Sequence, residues 1–212
     1  MMSKTLSCSL CGAVTEFYAT FRDKDYYRCL NCRSVMMDPV FFLTPAEEKM
    51  RYDQHNNDVN DPRYRNFVQP LVDIITNSFT TEAKGLDFGA GPGPVIATIL
   101  REKLYTVELY DPYYWKQPER LSQRYDYIVC SEVIEHFRFP RQEFALLQSM
   151  LLPGGSLFCM TELFRDDIVF SEWSYKNDPT HLFLYHRQAI EHINNLYFSA
   201  MRIEGRVIRF DA

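Results

Sequence analysis

Three short stretches of the 212-residue chain carry side chains whose types and spacing could do chemistry. The stretch CSEVIEHF at 130–137 places Glu132, Glu135 and His136 together, just after the apolar run YDYIVC. If the chain turns helical there, spacings of three and four residues set all three on one face. Two carboxylates and an imidazole on one surface could hold a metal ion, transfer a proton, or simply stabilise the positive start of a helix. The stretch LDFGAGPGP has glycines at 89, 91 and 93 after Asp87, where a strand pattern gives way to a helical one. Small residues let such a loop turn sharply and bring its backbone close to a ligand. Asp111 follows Gly93 by eighteen residues and ends the next strand pattern, where a carboxylate can accept both hydroxyls of a ribose. The alternating glycines differ from the dinucleotide spacing G-x-G-x-x-G, so the ligand suggested is a nucleoside held by its sugar.

The third stretch is at the front. Four of the six cysteines fall as Cys8-x-x-Cys11 and Cys29-x-x-Cys32, the spacing of a zinc ribbon. Two residues between thiolates let a tight knuckle present both sulfurs to a tetrahedral Zn²⁺, and Gly12 suits the turn that closes the first knuckle. Between the pairs, VTEFYATF and DYYRC read as short strands whose hairpin would bring the knuckles together. Four sulfurs close the coordination sphere, so the expected role is structural. Paired disulfides, disfavoured in a reducing cytosol, a remnant without metal, and a redox or catalytic role are the alternatives. Cys130 and Cys159 lie inside apolar strand patterns and read as small core residues.

Composition limits what these stretches can serve. With 46% apolar and 24% charged residues the chain reads as globular and large enough for a sizeable core. No apolar run reaches the ~18 residues of a membrane span, and MMSKTLSCSLCG lacks an apolar leader, so a cytoplasmic protein without a membrane partner is expected. The net charge of −5 argues against a nucleic-acid partner, and residues 1–40 carry five Lys or Arg against four acids, with no basic stripe.

The elements that must position these groups follow from patterning. Thr44 reads as an N-cap with Pro45 opening a helix, and the polar run RYDQHNNDVNDPRY reads as a loop. Asp61-Pro62 opens a second helix bearing Phe67, Leu71, Ile74 and Ile75, which Pro70 must kink or split. From residue 85 strands and helices alternate, predicting a mostly parallel sheet with helices on both faces. GLDFG, YTVELYD and YDYIVC are strands, with a helix from Pro94 between the first two. Pro140 to Leu152 is expected as a helix stopped by PGG before the strand SLFCMTEL. Arg187 to Phe198 is a helix, and AMRIEGRVIRF is two strands joined at Glu204-Gly205. The organisation expected is a zinc ribbon at 1–40, a helical linker or cofactor-covering segment at 41–82, and an α/β domain at 83–212.

With these motifs in order, the chain resembles the class I S-adenosylmethionine-dependent methyltransferases. The likeness is to the methyltransferase-23-like branch, whose motifs read like LDFGAGPG, YDP, YDYIVCSEVIEHF, LLPGGSLF and DPTHLFLY. The resemblance covers residues 85–210, and the ribbon followed by MMDP and RYDQHNN looks like an extension found on some members. It implies a Rossmann-like sheet of seven strands with an antiparallel terminal hairpin. It also implies a methionine moiety wrapped by Gly89, Gly91 and Gly93, a ribose held by Asp111, and the EVIEH stretch with Glu132 at the cofactor's edge, while Asp87, near the end of its strand, is itself a candidate anionic acceptor for the cofactor. Two features depart from the pattern. Only thirteen residues separate Asp111 from Tyr125, so the usual adenine-contacting position has no match, and no NPPY-like element is present.

The chain is also similar to small-RNA 2′-O-methyltransferases of the Hen type, in which E-x-x-E-H and a later histidine bind a divalent metal. Glu132, Glu135, His136 and His181 match those positions, and oxygen and imidazole ligands would suit Mg²⁺ or Mn²⁺. Without a metal, His136 alone could act as general base, or the group could serve positioning. Trp115, Trp173 and Tyr175 flank the same edge as candidates for an apolar substrate pocket or lid, with core packing as the alternative. Tyr52, His55 and Tyr64 are candidates for covering the cofactor, although turn chemistry accounts equally for Asn56, Asn57 and Asp58. The expected function is methyl transfer from S-adenosylmethionine to a small molecule or a modified side chain, with a structural zinc ribbon. The alternatives are a Hen-type RNA methyltransferase and a ribbon-based binding module with a vestigial or regulatory nucleotide fold.

Overall fold

The computed structural model describes residues 5–54 and 58–212, so His55, Asn56 and Asn57 lie outside the described residues. Aromatic and β-branched residues at the front form the antiparallel hairpin of β1 (Thr15–Phe21) and β2 (Lys24–Cys29), and β3 (Val35–Met37) adds to β2. A fourth strand, β8 (Phe183–Leu184), arrives from the far end of the chain and pairs antiparallel with β3. The ribbon is therefore continuous with the rest of the protein. One apolar cluster runs from Leu10, Tyr27 and Met36 through Phe183 and Tyr185 to Ile128.

Helix α1 (Pro45–Tyr52) starts at a capping box, in which Thr44 Oγ1 accepts the Glu47 amide and the Glu47 carboxylate accepts the Thr44 amide at 2.8 Å. Helix α2 (Pro62–Ser78) is capped by Asp61 and runs through Pro70 without splitting, held by the burial of Val68, Leu71, Val72 and Ile75. The α/β part then alternates as β4 (Lys84–Phe88), α3 (Val95–Glu102), β5 (Thr106–Tyr110), β6 (Tyr125–Ser131), α4 (Pro140–Ser149), β7 (Leu151–Met160), α5 (Arg187–Tyr197), β9 (Ala200–Glu204) and β10 (Val207–Asp211).

The main sheet has the order β5-β4-β6-β7-β10-β9, parallel through β7 and antiparallel at β10 and β9. Alternation along its strands feeds two faces. Tyr127, Val129, Phe158 and Met160 pack under α2 and α3, whereas Ile128, Cys130, Leu157 and Cys159 pack with Phe144, Leu147, Ala189, Ile190 and Ile193 of α4 and α5.

Two expectations are corrected. Among the described residues the main sheet has six strands, not seven, because the residues between Asp111 and Tyr125 form only a turn and a 3₁₀ stretch at Pro118–Ser122, leaving β5 at the edge. Helix α4 stops at Ser149, and the PGG expected to end it lies inside β7. There Gly154 takes φ +79° and the register against β6 shifts between Tyr125 and Tyr127. No helix among the described residues is long and apolar enough to cross a membrane.

Candidate active site

The carboxyl ends of β4, β5 and β6 frame a cavity of about 710 Å³, the position at which open α/β sheets bind ligands. Its floor is the loop after β4. Gly89 sits at φ +76°, and a Cβ there would stand 2.6 Å from Val133 Cγ2, so only glycine fits both the conformation and the space. Gly91, at φ +62°, has no atom within 4 Å of where a Cβ would stand and lines the cavity with bare backbone. Gly93 lines it as well.

Asp111, buried at the end of β5, ties this loop to the next. Its Oδ2 accepts the Gly91 amide at 3.0 Å, and its Oδ1 accepts the amides of Tyr113 at 2.7 Å and Tyr114 at 3.1 Å. Trp115 does not line the cavity: its indole N–H donates to the Gly91 carbonyl at 2.7 Å and braces the loop from behind. Asp87 is buried behind the loop too, where its carboxylate accepts the Ala97 amide near the start of α3. Burial pushes its pKa up to about 7.

The EVIEH stretch forms no helix with three groups on one face. It is a single 3₁₀ turn, Ile134–His136, entered through Glu132 at φ +51°. Glu132 and Glu135 converge on the Tyr175 hydroxyl, which lies 3.2 Å from Glu132 Oε2 and donates to Glu135 Oε1. Arg206 holds Glu132 through two contacts of 2.8 and 3.0 Å, and Thr161 Oγ1 donates to Glu135 Oε2 at 3.1 Å. Burial raises both carboxyls to about 7. His136 and His181 line the cavity with their rings 4.8 Å apart. Each ties Nδ1 to a backbone carbonyl, His136 to Thr180 at 2.8 Å and His181 to Tyr175 at 2.6 Å; at His136 this directs the Nδ1–H tautomer and leaves Nε2 its lone pair, while His181 Nε2 stands 4.0 Å from Glu135 Oε1. Burial lowers the His136 pKa, so the ring is neutral at pH 7.

Tyr175 thus stands behind the cavity wall, knitting the acid pair to His181. Trp173 lies outside the cavity as well: it packs against Phe164 and donates Nε1–H to Glu162 at 2.5 Å. The opposite wall comes from Tyr52 and Glu48 of α1 and from Tyr64 of α2. Glu48, Tyr113 and Arg138 escaped the sequence reading. Glu48 accepts from the Tyr113 hydroxyl at 2.6 Å and pairs with Arg138 at 3.2 Å. The only signal in the sequence is the four-residue spacing of Glu48 and Tyr52 on one helix face.

The four ribbon cysteines also converge, with all sulfurs within 4.8 Å of one another, Cys8 Sγ 3.7 Å from Cys32 Sγ and Cys11 Sγ 3.4 Å from Cys29 Sγ. A tetrahedron with Zn–S bonds of about 2.3 Å has edges of about 3.8 Å. The amides of Asn31 and Cys32 both point at Cys29 Sγ at 3.4 Å, as a thiolate ligand requires. The residue after each knuckle, Gly12 at φ +76° and Arg33 at φ +61°, makes the same left-handed turn.

A sequence model described as "Methyltransferase domain" matches residues 36–197, about three quarters of the chain. The chain belongs to that family. Among solved structures, the methyltransferase domain is similar to an O-methyltransferase family protein from Burkholderia thailandensis, at 16% identity over 77% of this chain and 61% of that one, with a TM-score of 0.49. It is also similar to a protein provisionally described as an O-methyltransferase from Nostoc punctiforme PCC 73102, at 12% identity over 70% of this chain and 56% of that one, with a TM-score of 0.53. The chain therefore spans about six-tenths of the length of these two structures, and at 12% identity the likeness to the Nostoc protein speaks for the fold alone. No curated protein matches the sequence.

Proposed function

We propose that this methyltransferase domain binds S-adenosylmethionine in the cavity and transfers its methyl group to a small molecule or a modified side chain. The observation that carries the reading is the glycine loop locked to Asp111, which sets bare backbone at Gly91 beside a buried carboxylate. The lining fits a cationic donor. Glu48, Asp111, Glu132 and Glu143 face the cavity; among the described residues Arg138 is the one Lys or Arg in its lining, and Glu48 pairs it, while Arg206 pairs Glu132 from outside the lining. When bound, the donor supplies a methyl group on a good leaving group.

The residues of this chain then have to align, shield and deprotonate. Asp111 Oδ2 carries one amide bond and keeps a lone pair for a ribose hydroxyl. Helix α1 and Tyr64 close the side opposite the glycine loop against water. His136, neutral with Nδ1–H engaged, offers Nε2 to take the proton that an acceptor hydroxyl or amine loses. The four-cysteine centre holds structural zinc.

A second reading rests on one further observation: ligand atoms of Glu135, His136 and His181 lie within 4.8 Å of one another, a set fit for Mg²⁺ or Mn²⁺. Glu132 is not among the three, being held by Arg206. Activity that falls with EDTA and returns with Mg²⁺ or Mn²⁺, while zinc content stays constant, would favour this second reading. Transfer of tritiated methyl into pools of cell metabolites, protein and RNA tests the acceptor class. Label in the metabolite or protein pool is expected, whereas label confined to RNA contradicts the proposal.

A further inference from the structure

The segment 180–186 carries the contacts that hold the EVIEH turn. The Leu182 amide donates to the Glu135 carbonyl at 2.8 Å, the Tyr185 hydroxyl donates to the Ile134 carbonyl at 3.1 Å, and the Thr180 carbonyl receives His136 Nδ1–H at 2.8 Å. This segment has no place in the main sheet. Its one strand is the two-residue β8, whose ladder partner among the described residues is β3 of the ribbon. The Met37 amide donates to the Leu182 carbonyl at 2.9 Å, so a single residue, Leu182, is bonded on one side to the backbone carbonyl of Glu135 and on the other to the ribbon. A second tie follows at Ser34, whose Oγ accepts the His186 amide at 3.0 Å, and a third at Asp166, which pairs with Arg28 and Arg33 on the ribbon side.

Strand β3 begins three residues after Cys32, and the turn between them is closed by hydrogen bonds from the Cys29 amide to Ser34 O at 2.9 Å and from the Arg33 amide to Cys29 O at 3.2 Å. A strand of two residues is far below the length that holds itself in place. Beyond the burial of Phe183 and Leu184, its ladder partner is β3, and β3 is in turn fixed by its ladder to β2, by the burial of Val35, Met36 and Met37, and by the knuckle in which Cys29 and Cys32 face Cys8 and Cys11.

We propose that the four-cysteine ribbon is a positioning device for the acceptor side of the site, transmitting the order of its metal centre through β3 and the Leu182 peptide to His136 and Glu135. The inference rests on the proposed methyltransferase function for the role of His136, but its structural half does not. The ribbon is thus a working part of the site, although none of its four cysteines lines the cavity. Its metal would not touch donor or acceptor, yet would decide whether His136 presents Nε2.

The test uses the full chain in three forms: zinc-loaded, zinc-stripped by chelation, and Met37→Pro, which keeps all four cysteines and removes the amide that reaches Leu182. Three readouts are taken on each: zinc content, calorimetry with S-adenosylhomocysteine, and the ¹⁵N resonances of the His136 ring, which report its tautomer. The expected result is that the stripped chain and Met37→Pro both lose the fixed Nδ1–H tautomer and lose turnover by about 100-fold or more. Both should bind S-adenosylhomocysteine within about threefold of the loaded chain, and Met37→Pro should retain its zinc. If stripping melts the chain, Met37→Pro decides alone. A Met37→Pro chain whose His136 tautomer and turnover match the loaded chain overturns the proposal. A loaded chain that binds no S-adenosylhomocysteine overturns the donor reading instead and leaves the tautomer measurement to judge the coupling.

Discussion

Asp111 accepts amides from two loops at once, which makes it the residue whose replacement is most informative. Asp111→Ala leaves three part-buried amides, those of Gly91, Tyr113 and Tyr114, without their acceptor, each a loss of up to about 1–3 kcal/mol where water cannot replace it. Calorimetry with S-adenosylhomocysteine should show an affinity loss of about 100-fold or more, with Asp111→Asn in between because one oxygen still accepts. An alanine variant that binds like the unmodified chain would remove Asp111 from the site. Asp87 gives a prediction in pH. Its carboxyl is raised to about 7 in the folded chain by burial, so between about pH 4 and 7 the folded state holds a proton that the unfolded state has released. Stability contributed at this position is present at low pH and is lost as pH rises through 7, by up to about 4 kcal/mol. Asp87→Asn should flatten that slope in thermal melts recorded across the range; an unchanged slope would assign it elsewhere. At this scale the sequence was legible where chemistry is local in the chain, as with the glycines and Asp111. It was not legible at Glu48 and Tyr113, which meet across 65 residues, or at Arg206, whose role against Glu132 depends on where a distant hairpin turn lands. Trp115, Trp173 and Tyr175 were visible as aromatics, but residue type does not tell which way a ring points, and all three stand outside the cavity.

Among the elements, the strand-to-helix loop after β4 is the most demanding. Gly89→Ala forces a left-handed alanine and a Cβ 2.6 Å from Val133 Cγ2, and should destabilise by about 2–4 kcal/mol in denaturant unfolding, in addition to weakening donor binding. Gly91→Ala carries only the conformational part, about 1–2 kcal/mol, because the space beside it is open. Equal losses at the two positions would contradict the packing described for Gly89. The existence and order of the elements were readable from periodicity, capping and turn residues: Thr44, Asp61 and Glu204-Gly205 all sit where the pattern put them. Two local forms were not. The EVIEH stretch has helical spacing, yet its carbonyls and amides are taken by Met160, Leu182 and Tyr185, tertiary partners that stop the turn after three residues. PGG looked like a helix stop, yet a bulge lets β7 absorb it because β6 offers a ladder on that side.

For the whole molecule, the family, the mostly parallel sheet and the terminal hairpin were legible because each rests on a long repeated pattern. The short interval between Asp111 and Tyr125 reads in the sequence only as the loss of an adenine contact, whereas it also leaves out the strand that would have made a seventh. What the sequence concealed was the union of the two ends of the chain, since a two-residue strand such as β8 leaves no periodic signature. The sulfur geometry predicts one zinc per chain in metal analysis of the purified protein, reduced to background by Cys8→Ala; a purified, folded chain without zinc would contradict the ribbon assignment. The central claim is that the cavity over the glycine loop is a site for the methyl donor. The direct measurement is calorimetry of the unmodified chain with S-adenosylhomocysteine. One site per chain with a dissociation constant well below millimolar, more than about 4 kcal/mol of binding free energy, is the predicted result; binding weaker than millimolar would contradict it.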